Sequence, residues 1–254
     1  VLVTKFDLNI KGVAYGTLFS ALITSIIFLI YMFWYLSKYT KITINFAQIF
    51  NLKKIKNIFN INLNIFIRTI LLTFSFLWFT YLGTQIGEDF VAANAILINL
   101  VFLSAFILDA YAFSTEGIVG YSLGKKDLNL FKNIVKNSFI LSSISGLIIS
   151  IIFFFTYNLV INLMSDINEI RELSSSYAVW LIILPVISSF CYQFDGIFIG
   201  ASQTKELRNA MIFSVFSYLL ISILLIKFLF NTGIWISLCI FMILRAVSLF
   251  YYLD

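Results

Sequence analysis

The chain has 254 residues, of which 61% are hydrophobic and only 11% charged, and its net charge is +5. Soluble domains have an apolar share of about 45–50%, so this composition excludes an ordinary soluble domain and predicts an integral membrane protein. There is no His and there are two Cys, which excludes His-dependent nucleophilic catalysis and a Cys/His zinc cluster. We predict that the chain is not an enzyme and needs no cofactor, with a carboxylate-based membrane enzyme as the alternative. We expect the charge to reflect topology rather than nucleic-acid binding.

Apolar runs of bilayer length recur along the chain. A helix needs about 20 apolar residues to cross a bilayer, whereas shorter runs of about 10–14 are typical of buried core helices. The run lengths predict an all-α, polytopic membrane helix bundle and do not fit the short alternating strands of a barrel. Seven transmembrane helices are predicted, at residues 13–36, 59–82, 92–118, 135–160, 177–200, 210–230 and 233–252.

Lys and Arg predict the orientation, because cytoplasmic loops are enriched in them. One set of loop regions contains Lys38, Lys41, Lys53, Lys54, Lys56, Lys125, Lys126, Lys132, Lys136, Lys205, Arg208 and Arg245. The opposite set contains Lys5, Lys11, Arg171 and Lys227. This asymmetry predicts a multi-pass protein of the inner (plasma) membrane with a cytoplasmic C-terminus. Residues 38–58 and 124–134 are then cytoplasmic, and residues 161–176 are outside.

Four charged residues lie inside the predicted spans: Asp109, Glu116, Asp195 and Arg68. A charge at the centre of a spanning helix costs roughly 2.5–3.5 kcal/mol on insertion scales, so such residues are candidates for function. Asp109 and Glu116 are seven residues apart and share a helix face, which we expect to look into the bundle. The alternatives are that Glu116 reaches cytoplasmic water, and that Asp195 reaches solvent at its helix end or pairs with Arg208.

Two packing features lie in the same spans. Gly120 and Gly124 have the small-xxx-small spacing that permits close helix contact. Pro185 is the only proline; inside a span it removes a backbone hydrogen bond, which predicts a kink or hinge.

The polar stretch 38–58 separates the first span from the rest. It is interpreted either as a cytoplasmic linker between two helical bundles or as a basic amphipathic segment at the lipid headgroups. An odd number of spans, an outside start and Val1 as first residue predict that the chain is a fragment of a longer protein.

Three local sequences carry a family resemblance. They are the outer turn GTQIGEDFVAANAILINL (83–100), the stretch ILDAYAFSTEGIVGYSLGKKD (107–127) and YQFDGIFIGASQTKELRNA (192–210). Together they resemble the multidrug and toxic compound extrusion (MATE) family, and most of all its DinF-type branch. GVAYGTLFSALITSI (12–26) is similar to the family's sixth helix, which implies that the seven spans are helices six to twelve of a twelve-helix protein.

The resemblance implies a fold of two six-helix lobes with a central cleft, and alternating access between its two sides. Residues 1–37 would hold the last helix of the first lobe, 38–58 the inter-lobe linker and 59–254 the second lobe. The missing first lobe would be the partner of this chain in the bilayer.

The implied activity is export of small amphipathic drugs or organic cations against protons or sodium ions. Asp195 is similar to an acid of the second-lobe cation site in sodium-coupled relatives, and Arg68 looks like an arginine of the DinF-type branch. With Asp109 and Glu116, these are the candidate residues for coupling. The resulting prediction is that Asp195→Asn abolishes ion-driven export while folding is largely kept.

Two other functions stay open. A lipid-linked oligosaccharide flippase of the same superfamily would need several cleft arginines and lysines for a diphosphate, and only Arg68 is predicted inside the membrane. An inert truncated remnant or a helix-scaffold protein is the alternative from a different class.

Overall fold

The computed structural model describes residues 9–39 and 50–253. Lys5, Lys41 and the middle of the predicted linker lie outside this described part. In chain order the helices are α1 Asn9–Tyr39, α2 Leu52–Thr84, α3 Glu88–Gly124, α4 Leu128–Met164, α5 Asn168–Ser176, α6 Val179–Gly200 and α7 Thr204–Tyr251. The described residues contain no strand, so the all-α prediction is confirmed.

Six of these helices are long and apolar enough to cross a membrane. Helix α7 has 48 residues, about twice the length that one crossing needs. It is broken at Phe230, whose φ of 49° and ψ of −130° are not helical. The chain turns back at this break. A Cβ on Gly233 would lie only 2.5 Å from the carbonyl oxygen of Leu225, whereas eight residues of continuous helix would separate the two residues by about 12 Å. The break separates the two predicted spans 210–230 and 233–252.

The helices extend beyond the predicted spans. Helices α3 and α4 each have 37 residues, or about 55 Å at 1.5 Å per residue, against a hydrocarbon core of about 30 Å. The segment 161–176, predicted as a loop, contains the short helix α5. Arg171 of α5 donates hydrogen bonds to the carbonyl oxygens of Asn162 (3.0 Å) and Ser165 (2.6 Å). It thereby satisfies carbonyls that the end of α4 leaves without helical partners.

The chain divides into two compact units, Val1–Ile55 and Lys56–Asp254. Within the second unit, α6 packs against α3, α4 and α7. Its core is mainly aromatic and aliphatic: Trp235 is fully buried and meets Phe79 edge to face at 4.9 Å and Trp180 in a stack at 6.5 Å. The same unit carries all four predicted site residues.

Glycines bring α3 and α6 into backbone contact. A Cβ on Gly196 would lie 2.4 Å from the carbonyl oxygen of Ala112, and one on Gly200 would lie 2.5 Å from that of Glu116. Gly120 takes part, since its Cβ would be 3.4 Å from the Gly200 oxygen, but a Cβ on Gly124 would meet no atom of the described residues within 4 Å. The spacing that permits close contact is therefore used here at Gly120 and not at Gly124, and the close contact depends on the Gly-x-x-x-Gly spacing of α6.

Candidate charged site in the second unit

A buried ion network joins three helices of the second unit. Arg68 is the central residue of α2, Asp195 lies in the last turns of α6, and Arg245 lies near the end of α7. The Oδ2 atom of Asp195 accepts hydrogen bonds from Nη2 of Arg68 and, at 2.7 Å, from Nη2 of Arg245. The side chains are 14% (Arg68), 7% (Asp195) and 2% (Arg245) exposed. One carboxylate therefore faces two guanidiniums away from solvent.

Arg245 is the site residue that the sequence reasoning missed. The charge asymmetry predicts Arg245 to be a cytoplasmic loop cation, yet it is buried and paired with Asp195. Its guanidinium also lies 5.5 Å from the centre of the Phe241 ring. The available signal was its position inside the predicted span 233–252, where a cation needs a partner. Without Arg245 the loop asymmetry is eleven cations against four, so the predicted orientation is unchanged.

The alternative reading of Asp195 is wrong on both counts. Asp195 is 5% exposed, so it does not reach solvent at the end of its helix. Arg208 does not pair with it: its Nη1 donates to Oδ1 of Asn64 (2.9 Å), and its Nε and Nη2 donate to Oδ1 of Asn209 (3.2 and 3.0 Å).

Asp109 and Glu116 lie at the edge of the α3 face that packs on α6. Both are half-buried. The charge of Asp109 interacts with those of Asp195, Arg68 and Arg245, so it belongs to the same electrostatic cluster. The structure gives Asp109 no hydrogen bond or salt bridge among the described residues, unlike Asp195. Glu116 is two turns further along α3, where its backbone meets Gly200.

The cluster of Asp109, Asp195, Arg68 and Arg245 is balanced in formal charge. Buried charges persist in proteins when they are paired and hydrogen-bonded, and Asp195 fulfils both conditions. Removing one partner of such a pair leaves an uncompensated charge, at a cost of about 3–5 kcal/mol. Beside the cluster, Thr115 of α3 donates to Oε1 of Gln193 on α6 (2.9 Å), while the buried Nε2 of Gln193 has no hydrogen-bond partner among the described residues.

Bilayer-length helices packed around a buried ion network define a multi-pass membrane protein. The MatE family model matches residues 65–227, more than half of the chain, so the chain belongs to the MATE family. DNA damage-inducible protein F from Escherichia coli (strain K12) is 32% identical over 189 residues, which cover 74% of this chain and 41% of that protein. The chain therefore spans about two fifths of the length of this curated relative.

Solved structures have the same fold. A MATE structure in the straight conformation matches with a TM-score of 0.87 at 16% identity, over 99% of this chain and 57% of that chain. A Vibrio cholerae MATE transporter matches with a TM-score of 0.81 at 18% identity, over 98% of this chain and 56% of that chain. A MOP superfamily transporter from Pyrococcus furiosus matches with a TM-score of 0.70 at 21% identity, over 78% of this chain and 44% of that chain.

Proposed function

We propose that this chain is the C-terminal part of a secondary active transporter, which exports amphipathic drugs or organic cations by antiport against protons or sodium ions. Its partner is the N-terminal lobe of the same protein, and the cleft between the two lobes opens alternately to the two sides of the membrane. The protein lies in the inner (plasma) membrane with its C-terminus in the cytoplasm. Family membership supports the class, and one observation supports the mechanism: the half-buried Asp109 carboxylate beside a buried ion network.

The geometry favours different parts for the two aspartates. Asp109 is half-buried, so a proton, a sodium ion or a cationic substrate can compete for its charge. Asp195 is held by ion pairs with two arginines, and its role is to fix the position of these charges near Asp109. Arg68 is the more exposed of these arginines and is the internal cation that competes for either aspartate. Glu116 extends the line of carboxylates along α3 by two turns.

The structure adds a second intramembrane arginine, which the flippase alternative needs, but both arginines are already paired with Asp195. Arg245 adds a second intramembrane guanidinium to Arg68. Both are bound to Asp195, so neither is available for a diphosphate without breaking a buried salt bridge. The antiporter is therefore the better supported function.

The test is ion-driven uptake of a fluorescent organic cation into vesicles that contain the full-length protein, with proton and sodium gradients imposed separately. Asp109→Asn should abolish gradient-driven transport and leave the thermal unfolding temperature close to that of the wild type, because Asp109 has no hydrogen bond or salt bridge among the described residues. Asp195→Asn should also abolish transport, but with a loss of stability. Glu172→Gln, a change at an exposed acid of α5, is the matched control. Wild-type transport in both aspartate variants would show that neither Asp109 nor Asp195 takes part in coupling.

A further inference from the structure

A polar cavity of about 430 Å³ opens at the lysine-rich end of the second unit, the end that carries the α3–α4 and α6–α7 turns. One wall is a face of α2 with Asn57, Asn60 and Asn64, and the other is the start of α7 from Ser202 to Arg208. The two walls are joined by a hydrogen bond from Nδ2 of Asn64 to Oγ1 of Thr204 (3.2 Å). None of these side chains belongs to the ion network.

The cavity wall carries a positive charge without a counter-ion. All three hydrogen bonds of Arg208 go to the neutral amide oxygens of Asn64 and Asn209, and no salt bridge to Arg208 is found among the described residues. Lys205 lies beside it on the same wall. Gln203, the N-cap of α7, makes no side-chain capping hydrogen bond, so the first backbone N–H groups of α7 also lack that acceptor. Guanidinium, ammonium and helix N-terminal N–H groups together favour a phosphate.

The same wall carries a negative charge without a partner. Glu206 lines the cavity, and its Oε2 atom is buried with no hydrogen-bond partner among the described residues. A buried carboxylate oxygen is costly unless a donor or cation satisfies it. Glu206 also lines a neighbouring cavity of about 420 Å³, but the other residues of that cavity are uncharged. Of these two cavities, the first is the one in which the described residues place positive and negative side chains together, as a zwitterionic ligand requires.

We propose that this cavity binds a phosphoethanolamine group, with its phosphate at Arg208 and Lys205 and its ammonium at Glu206. The amides of Asn57 and Asn60 supply further donors and acceptors. Two sources share this chemistry, the headgroup of phosphatidylethanolamine in the adjacent leaflet and a soluble phosphoethanolamine ester. The assignment is independent of the proposed transport function, because it uses no residue of the ion network.

The test measures binding to the purified full-length protein by native mass spectrometry and by thermal shift. The probes are short-chain phosphatidylethanolamine, the matching phosphatidylglycerol and soluble phosphoethanolamine. We expect both phosphoethanolamine probes or the lipid alone to bind more tightly than phosphatidylglycerol. Binding of the lipid alone identifies the membrane as the source, and equal binding of the soluble ester identifies the ester.

Two variants separate the two charges. Arg208→Gln should weaken both lipids by about tenfold, the usual effect of losing one charged hydrogen bond. Glu206→Gln keeps the shape of the side chain and should remove the preference for phosphatidylethanolamine over phosphatidylglycerol while phosphatidylglycerol still binds. Lys126→Gln, at the same end but outside the cavity, is the control. Equal binding of all probes to the wild type, or an unchanged preference in Glu206→Gln, would overturn the assignment.

Discussion

At the residue scale, Asp195 is where the structure changes an expectation. The sequence predicts that a neutral Asn at this position largely keeps the fold. With two guanidiniums bound to it, the same change leaves positive charges uncompensated in a buried site. We predict that Asp195→Asn lowers the free energy of unfolding by about 3 kcal/mol or more, measured by thermal or denaturant unfolding in detergent.

Arg245 and Asp195 should also be coupled energetically. We predict that Arg245→Gln destabilises the protein. Combined with Asp195→Asn, it should lower the free energy of unfolding by clearly less than the sum of the two single changes, because each single change leaves the other charge without its partner. A double-mutant cycle of unfolding free energies measures this. Strict additivity would mean that the salt bridge does not hold α6 to α7.

The charged residues themselves could be found from the sequence, but their pairing could not. Asp109, Glu116, Asp195 and Arg68 each interrupt an apolar run, which is a local signal. Which arginine reaches Asp195 depends on how α2, α6 and α7 are placed around one another, and spacing along the chain carries no such information.

At the element scale, the contact between α3 and α6 depends on the absence of side chains at two positions. We predict that Gly196→Ala or Gly200→Ala lowers stability by about 1–3 kcal/mol, the usual cost of overpacking, because the new Cβ would collide with backbone oxygens of α3. Gly117→Ala is the matched control, since its Cβ would meet no atom of the described part of the chain within 4 Å. Thermal unfolding of the three variants tests this prediction. An equal gain of stability in all three would mean that the higher helix propensity of Ala outweighs any steric conflict at Gly196 and Gly200.

The break in α7 is held by a reciprocal amide pair. Asn94 and Asn231 exchange hydrogen bonds of 2.7 and 3.1 Å, and Nε1 of Trp235 donates to Oδ1 of Asn94 (2.9 Å). We predict that Asn94→Ala destabilises the protein by about 1–2 kcal/mol, the upper range for interhelical hydrogen bonds in membranes. Asn99→Ala, an exposed amide of the same helix, should show no comparable loss in the same unfolding assay.

The lengths of the apolar runs were enough to predict that the helices exist, but not where they end. The runs locate the spans, but α3 and α4 continue past the hydrocarbon through polar residues that also suit a loop. Helix α5 was missed because it is short and polar, and because Arg171 joins it to α4 through backbone carbonyls. The break at Phe230 falls on the last residue of the predicted span 210–230, next to the predicted boundary, although no Pro or Gly occupies the residue with the unusual φ.

At the scale of the whole molecule, the orientation of the helices stays a prediction. Single cysteines in place of Lys54 and Glu169 should be labelled from opposite sides of the membrane by an impermeant reagent. Both natural cysteines are free and buried, so they should add little background. Labelling of both positions from one side would reverse the assignment of the lysine-rich end to the cytoplasm.

The assembly of the second unit has one mechanical consequence, at Pro185. Helix α6 is continuous across this proline, and α4 supports it there. Ser150 donates to the carbonyl oxygen of Ile182 (2.5 Å) and Ser142 to that of Ser189 (3.3 Å). Between them Gly146 lets the two backbones approach, since a Cβ on it would lie 2.9 Å from the Pro185 oxygen. Pro185, which the sequence predicts to be a kink or hinge, is therefore supported by α4 on both sides, and we expect α4 and α6 to tilt together as one rigid pair.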